Sequence, residues 1–252
     1  MEKTDCQLLL TKKSDINSRR STNRKRRNHS VDNKEIKLQR LERTEGKILS
    51  EIVYNAVIRL TILWGILLNI LTYRFFAPYI IQIDYRVILV GYLVLSFACI
   101  AVVVKSRKPA VSFLGFTGLA IGMGILLTTF LSMYDGNVIY RAFLATGIIV
   151  VSMMIVSMIF PAFFLSIGRV LGFALLGSIV IELVGLFLLR LPMNIMDYVV
   201  VIIFAGYIGY DWAKAQAYPK TMDNAVDSAA DIYVDIINIF IRILSIMGKK
   251  ND

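Results

Sequence analysis

The stretch AFLATGIIVVSMMIVSMIF, residues 142–160, runs for 19 residues without a charge and stops at Pro161. A helix at the surface of a soluble protein cannot carry such a run, because one of its faces must meet water. About 18 or more apolar residues in succession is the length at which a helix crosses the hydrocarbon of a bilayer. The pattern recurs on both sides. Upstream lie IVYNAVIRLTILWGILLNILTY (52–73), YRVILVGYLVLSFACIAVVV (85–104) and VSFLGFTGLAIGMGILLTTFLSM (111–133). Downstream lie VLGFALLGSIVIELVGLFLL (170–189), the shorter YVVVIIFAGYIGY (198–210) and a last segment whose apolar part covers about 232–247. Over the whole chain of 252 residues the hydrophobic share is 57%, above the ~45–50% of soluble domains. The expected fold class is an all-α polytopic membrane protein.

Charge divides the chain in two. Residues 1–50 hold 14 Lys and Arg against 7 Asp and Glu, while the formal net charge of the whole chain is +10. Residues 1–49 therefore read as a basic, disordered cytoplasmic tail, and 50–252 as the membrane domain. The run RRSTNRKRRNH (19–29) would suit nucleic acid if it stood alone. With membrane spans following at once, it reads instead as a topology signal that touches anionic lipid, so no nucleic-acid partner is expected. Lys105, Arg107 and Lys108 lie two spans from the tail and belong on its side, as do Arg169, Lys214 and Lys220 after spans four and six. The positive-inside rule makes that side cytoplasmic. This places the N-terminus in the cytoplasm. The seventh segment leaves two alternatives: it crosses, with Lys249 and Lys250 outside, or it re-enters and keeps them inside.

Other chemistries have little to work with. Cys6 lies in the tail and Cys99 within a span, so no disulfide is expected. The single histidine, His29, is in the tail, which leaves no His/Cys metal site. No cleavable leader is expected, because the basic stretch is long and no short apolar segment follows it at the start. Glycines such as Gly115, Gly118, Gly122 and Gly124 in span three argue for close helix packing rather than for chemistry.

Charges inside spans are costly and face a partner or a cavity. Arg59, two turns into span one, either snorkels to the interface or forms an ion pair. Glu182 in span five is too short to snorkel and should face the bundle interior, holding a proton or cation or simply bonding a neighbouring helix. Asp211 ends span six in GYIGYDWAKAQ. Asp227, Asp231 and Asp235 share a face of the last helix, since each step of four residues drifts only ~40°. Asp227 is expected to be wet, near the helix start, and Asp235 deepest. Asn238 and Arg242 continue the polar face, as a lined cavity would require.

Four stretches carry a family resemblance: TGLAIGMGILL, YDGNVIYRAFLAT, IIFAGYIGYD and ADIYVDIINIFIRILSIMG. They resemble the Bax inhibitor-1 (transmembrane BAX inhibitor motif) family, and its bacterial members in particular, over about residues 50–248. The resemblance implies seven transmembrane helices with the last one central. It also implies a pH-sensitive calcium leak across the membrane, with Ca²⁺ and protons as the ions handled, and neither an enzyme nor a bound cofactor. The family's paired aspartates fall on Asp211 and Asp235, which become the expected proton sensor and Ca²⁺ ligands. A latch cation of the bacterial members falls on Lys105, with Arg107 close by. The chain departs from the family at Asp231, where a small or hydroxyl residue is usual, and at Glu182, which replaces an apolar residue. These two are additional candidate ligands. Ser245 stands where the family has an arginine, and Arg242 lies one turn earlier.

Two carboxylates held within hydrogen-bond reach resist double ionisation and share a proton. Once that proton leaves, the helices separate or a cation enters. Ca²⁺ suits such a site, being a hard ion with flexible oxygen coordination. Two rival readings exist. One is a non-conducting regulator that binds a membrane protease or channel, with the tail as its contact surface. The other is an intramembrane aspartyl protease, whose Tyr-Asp half matches Tyr210-Asp211 but whose Gly-x-Gly-Asp half does not match the residues before Asp235.

Overall fold

The computed structural model describes residues 47–106, 108–185 and 194–248. Residues 1–46 of the expected tail lie outside them, as do Arg107, Arg190, Pro192, Lys249 and Lys250. Among the described residues there are seven helices and no strand. They are α1 (Glu51–Ile80), α2 (Tyr85–Lys105), α3 (Pro109–Leu131), α4 (Gly136–Ile159), α5 (Pro161–Val184), α6 (Asn194–Ala217) and α7 (Met222–Gly248).

Local signals set most of the starts. The Ser50 hydroxyl accepts from the Val53 N–H at 3.4 Å, and the Asp84 carboxylate from the Arg86 N–H at 2.7 Å, each satisfying a donor that the first helical turn leaves open. Pro109 and Pro161 open α3 and α5 at the position where a missing N–H costs nothing. Three boundaries differ from the expected ones. Pro161, expected to stop span four, also starts α5, so α5 begins well before residue 170 and Arg169 is helical. Helix α6 continues to Ala217, which puts Asp211 inside the helix rather than at its end. Helix α7 begins at Met222, so its first-turn acid is Asp223, and Asp227 sits one turn further in and is half-buried rather than wet.

Six helices, α1 to α6, are long and apolar enough to cross a bilayer. Their lipid-side residues are large and bare: Val94 and Phe97 on α2, Ile148 on α4 and Phe173 on α5 are all exposed. An apolar belt of this extent has a bilayer as its solvent. The protein is a multi-pass membrane protein. The seventh helix carries Asp223, Asp227, Asp231, Asp235 and Arg242, and could not face lipid on all sides. It does not need to, because it packs against α1, α3, α4 and α6 together. Ile232, Tyr233 and Ile239 on it are fully buried. The last helix is thus central.

Its ends show that it crosses. At the start of α3 the Ser112 hydroxyl donates to Asp223 Oδ1 at 2.8 Å. Midway, the Phe116 and Tyr233 rings meet edge to face at 5.3 Å. Just beyond the end of α3, the Tyr134 ring lies against Gly248. Helix α7 therefore runs unbroken beside α3 and in the same direction, with no re-entrant turn. Its 27 residues make a rod of ~40 Å at 1.5 Å per residue, enough for the ~30 Å of hydrocarbon. The start of α1 and the end of α6 sit at the Asp223 end, since the Leu49 N–H donates to the Lys220 carbonyl at 2.7 Å and Tyr54 Oη to the Ala215 carbonyl at 3.0 Å.

The inner helices meet where side chains are small. A Cβ on Gly65 of α1 would stand 2.8 Å from both Phe116 Cζ and Tyr233 Cε2. One turn on, Asn69 Nδ2 donates to Tyr233 Oη at 2.9 Å, which in turn lies 3.0 Å from Asn69 Oδ1. Gly65→Ala should therefore overpack the α1–α3–α7 contact and cost about 1–3 kcal/mol. In detergent its apparent unfolding midpoint should fall. Gly91→Ala, where a Cβ meets nothing within 4 Å, should leave the midpoint unchanged or raise it.

Candidate functional site

Helices α6 and α7 form the most extensive helix contact in the bundle. Four ionisable side chains line it in its half toward the Asp223 end. Asp211 and Lys214 come from α6, three residues apart and hence on one face; Asp231 and Asp235 come from α7, four apart. Helix α6 is held firmly just before Asp211. The Ser157 hydroxyl of α4 donates to the Gly209 carbonyl at 2.5 Å. The Phe164 ring of α5 fills the space that a side chain at Gly209 would take. After Lys214, Gln216 Nε2 donates to Asn55 Oδ1 of α1 at 2.8 Å.

Asp211 and Asp235 are only 8% and 5% exposed. Their carboxyl groups lie within hydrogen-bond reach of each other. Asp235 Oδ2 is buried and meets no donor. Ionised carboxylates only accept, so this contact is a hydrogen bond only when one of the two carries a proton. Lys214 Nζ sits beside the pair, 3.3 Å from Asp211 Oδ1 and 2.9 Å from Asp231 Oδ2. Its ammonium also lies over the Tyr210 and Tyr218 rings, at 5.7 and 5.9 Å from their centroids. Two carboxylates thus flank the lysine, and the third carboxyl, Asp235, meets Asp211. A site of this kind can hold one further positive charge, as a proton or as a hard cation.

The other candidates fall elsewhere. Glu182 faces the interior as expected, but at the opposite end of the bundle, bonded through both oxygens to Arg242 at 2.6 and 2.9 Å. Arg59 is exposed and donates only to the Asn55 carbonyl of its own helix, at 3.1 Å, which fits the snorkelling alternative. Lys105 closes α2, but its side chain and the whole of Arg107 lie outside the described residues. Asn238 donates to the Val234 carbonyl of its own helix at 2.8 Å. Among the described residues no group of three or more His, Cys, Asp or Glu side chains is placed to hold a metal ion.

The family described as "Inhibitor of apoptosis-promoting Bax1" matches residues 51–252, the whole helical body. The chain belongs to the Bax inhibitor-1 family. Among its relatives is the uncharacterized protein YrjE of Lactococcus lactis, 28% identical over 151 residues, which cover 57% of this chain and 64% of that one. An uncharacterized membrane protein of Streptococcus pyogenes serotype M3 is 28% identical over 138 residues, 51% of this chain and 59% of its own length. An uncharacterized protein of Helicobacter pylori is 37% identical over 90 residues, 34% of this chain and 37% of its own. The chain therefore spans less than two thirds of the curated relatives it matches.

In this Bax inhibitor-1 family member, Lys214 is more than the topology charge that its place after span six makes it. The signal for its place beside the pair was present in the Asp-x-x-Lys spacing of α6. Asp197, just ahead of the apolar run 198–210, is buried in the first turn of α6. Removing Lys214 leaves Asp211 and Asp231 facing each other without a counter-charge. Lys214→Met should cost about 1–3 kcal/mol, the penalty for a buried polar group left unsatisfied. Lys214→Met/Asp231→Asn should recover part of that loss, as read from apparent melting in detergent.

Proposed function

We propose that the protein is a pH-sensitive calcium leak channel in which Asp211 and Asp235 share a proton and, on losing it, take up Ca²⁺. The observation that carries the reading is the buried Asp211–Asp235 contact with an oxygen that has no donor. The family resemblance supports it, because the family's paired aspartates match these two positions. Two carboxylates make a weak, leaky station for a cation that takes six to eight oxygens, the remainder coming from water.

The sign of the coupling follows from charge. Ca²⁺ needs both carboxylates ionised, so it competes with the shared proton, and Ca²⁺ binding strengthens as pH rises. The charged and titratable groups around the pair modulate this. Lys214 on α6 offsets one negative charge, Asp231 on α7 adds one back, and Tyr207, Tyr210 and Tyr218 line the same side. Lys105 and Arg107 remain proposed latch cations for Asp211, and Asp231 a proposed further ligand, on the strength of the resemblance and the sequence. The positive-inside rule puts the Asp223 end of α7 in the cytoplasm of a bacterial cell. The site then opens toward the cytoplasmic face.

The reading is tested with purified full-length protein in liposomes loaded with a calcium dye. Wild type should leak Ca²⁺ at a rate that changes with pH. Asp211→Asn and Asp235→Asn should each flatten that pH profile. A profile unchanged in both variants would remove the pair from the mechanism.

A further inference from the structure

We propose that Arg242 is the gate at the far end of the cation route, its guanidinium occupying the place of a passing Ca²⁺ between Glu182 and Asp197. This rests on the channel reading above. Asp231, Asp235, Asn238, Arg242 and Ser245 follow one another at steps of three and four along α7, and so form one stripe on that helix. Arg242 lies seven residues beyond Asp235, ~10 Å along the axis. A cation that leaves the aspartate pair along this stripe meets the guanidinium next.

The contacts at that point come from three helices. Arg242 Nη1 and Nη2 donate to the two oxygens of Glu182 on α5 at 2.6 and 2.9 Å. Arg242 Nη1 also donates to Asp197 Oδ1 on α6 at 3.0 Å. The other oxygen of Asp197 accepts from the Ser245 hydroxyl on α7 at 2.9 Å. Helix α5 packs mainly on α6, and the fork from Arg242 adds a charged tie to the central helix. Two carboxylates from different helices and a serine oxygen are the kind of oxygen set that a hard divalent cation takes. Here a tethered cation holds it. Swinging the guanidinium out does two things together: it frees both carboxylates and it unties α5. The gate is therefore coupled to the ion it passes, since Ca²⁺ stabilises the untied state by replacing the charge that left.

The test uses the full chain in liposomes and reads Ca²⁺ flux against Ca²⁺ concentration. Arg242→Gln should raise the flux about fivefold or more, the lower end of what a coupled two-state element supplies. It should also lower the Ca²⁺ concentration that gives half-maximal flux. Adding Glu182→Gln to Arg242→Gln should return that concentration toward wild type, which a purely structural role for Arg242 would not do. Arg242→Lys keeps the charge and loses the fork, and should fall between. If Arg242→Gln does not fold, Arg242→Lys decides: wild-type flux and half-saturation in it overturn the gate. A well-folded Arg242→Gln with wild-type flux and half-saturation also overturns it. Asp235→Asn, measured in parallel, separates the two claims. Silence in the Arg242 variants alone removes the gate, while a wild-type pH profile in Asp235→Asn removes the channel reading on which it stands.

Discussion

Everything in this bundle depends on keeping four aspartates and an arginine of one helix away from lipid. A carboxylate in hydrocarbon costs several kcal/mol unless it is paired, hydrated or protonated. The last helix cannot shed that cost by turning one face outward, because its charges lie at its start, its middle and near its end. It is surrounded instead. Helices α1, α3, α4 and α6 contact it directly, and α2 and α5 form the layer beyond, packed on α3 and α6. The glycines of α1, α3 and α6 serve this purpose. At Gly65 an added Cβ would collide with Phe116 of α3 and Tyr233 of α7, at Gly115 with Val103 of α2, and at Gly209 with Phe164 of α5, so α1 closes on α7 and the outer helices close on the inner ones.

Once enclosed, the charges sort into levels. Asp223 is met by the Ser112 hydroxyl, Tyr233 by Asn69, Asp231 and Asp211 by Lys214, and Arg242 by Glu182 and Asp197. Asp235 keeps a buried oxygen with no donor. It is also in hydrogen-bond reach of a second carboxyl. The two charged levels of α7, around Asp235 and around Arg242, are separated by Ile236, Ile237, Ile239, Phe240 and Ile241, with Asn238 between them.

The membrane architecture was legible because it follows from length and polarity. Residues 142–160 have no charge with which to meet water, and the remaining runs differ from them in degree. The aspartate pair was legible only through the family motif. Spacing alone placed Asp211 at the end of a span, because YVVVIIFAGYIGY gives way to polar residues there. The helix continues through them, since Asp211, Lys214 and Gln216 find partners on α1 and α7. Apolar periodicity marks where lipid ends, while a helix ends where its backbone partners run out, and inside a bundle these are different places. The same difference misplaced the start of α5 and left Asp197 ahead of the run 198–210, although the helix already contains it. Pairings such as Lys214 with Asp231, or Arg242 with Glu182, join residues 17 and 60 positions apart. They depend on which helices are neighbours, which no local pattern states.

The central claim is that Asp211 and Asp235 hold one proton between them and release it to Ca²⁺. Infrared difference spectroscopy of the protein in lipid, recorded with and without Ca²⁺, observes this directly through the carbonyl stretch of a protonated carboxyl. The account predicts a protonated-carboxyl band in the Ca²⁺-free protein that disappears when Ca²⁺ is added and is missing or shifted in Asp235→Asn. A spectrum with no such band, or with one that persists unchanged under Ca²⁺ and in Asp235→Asn, would contradict it.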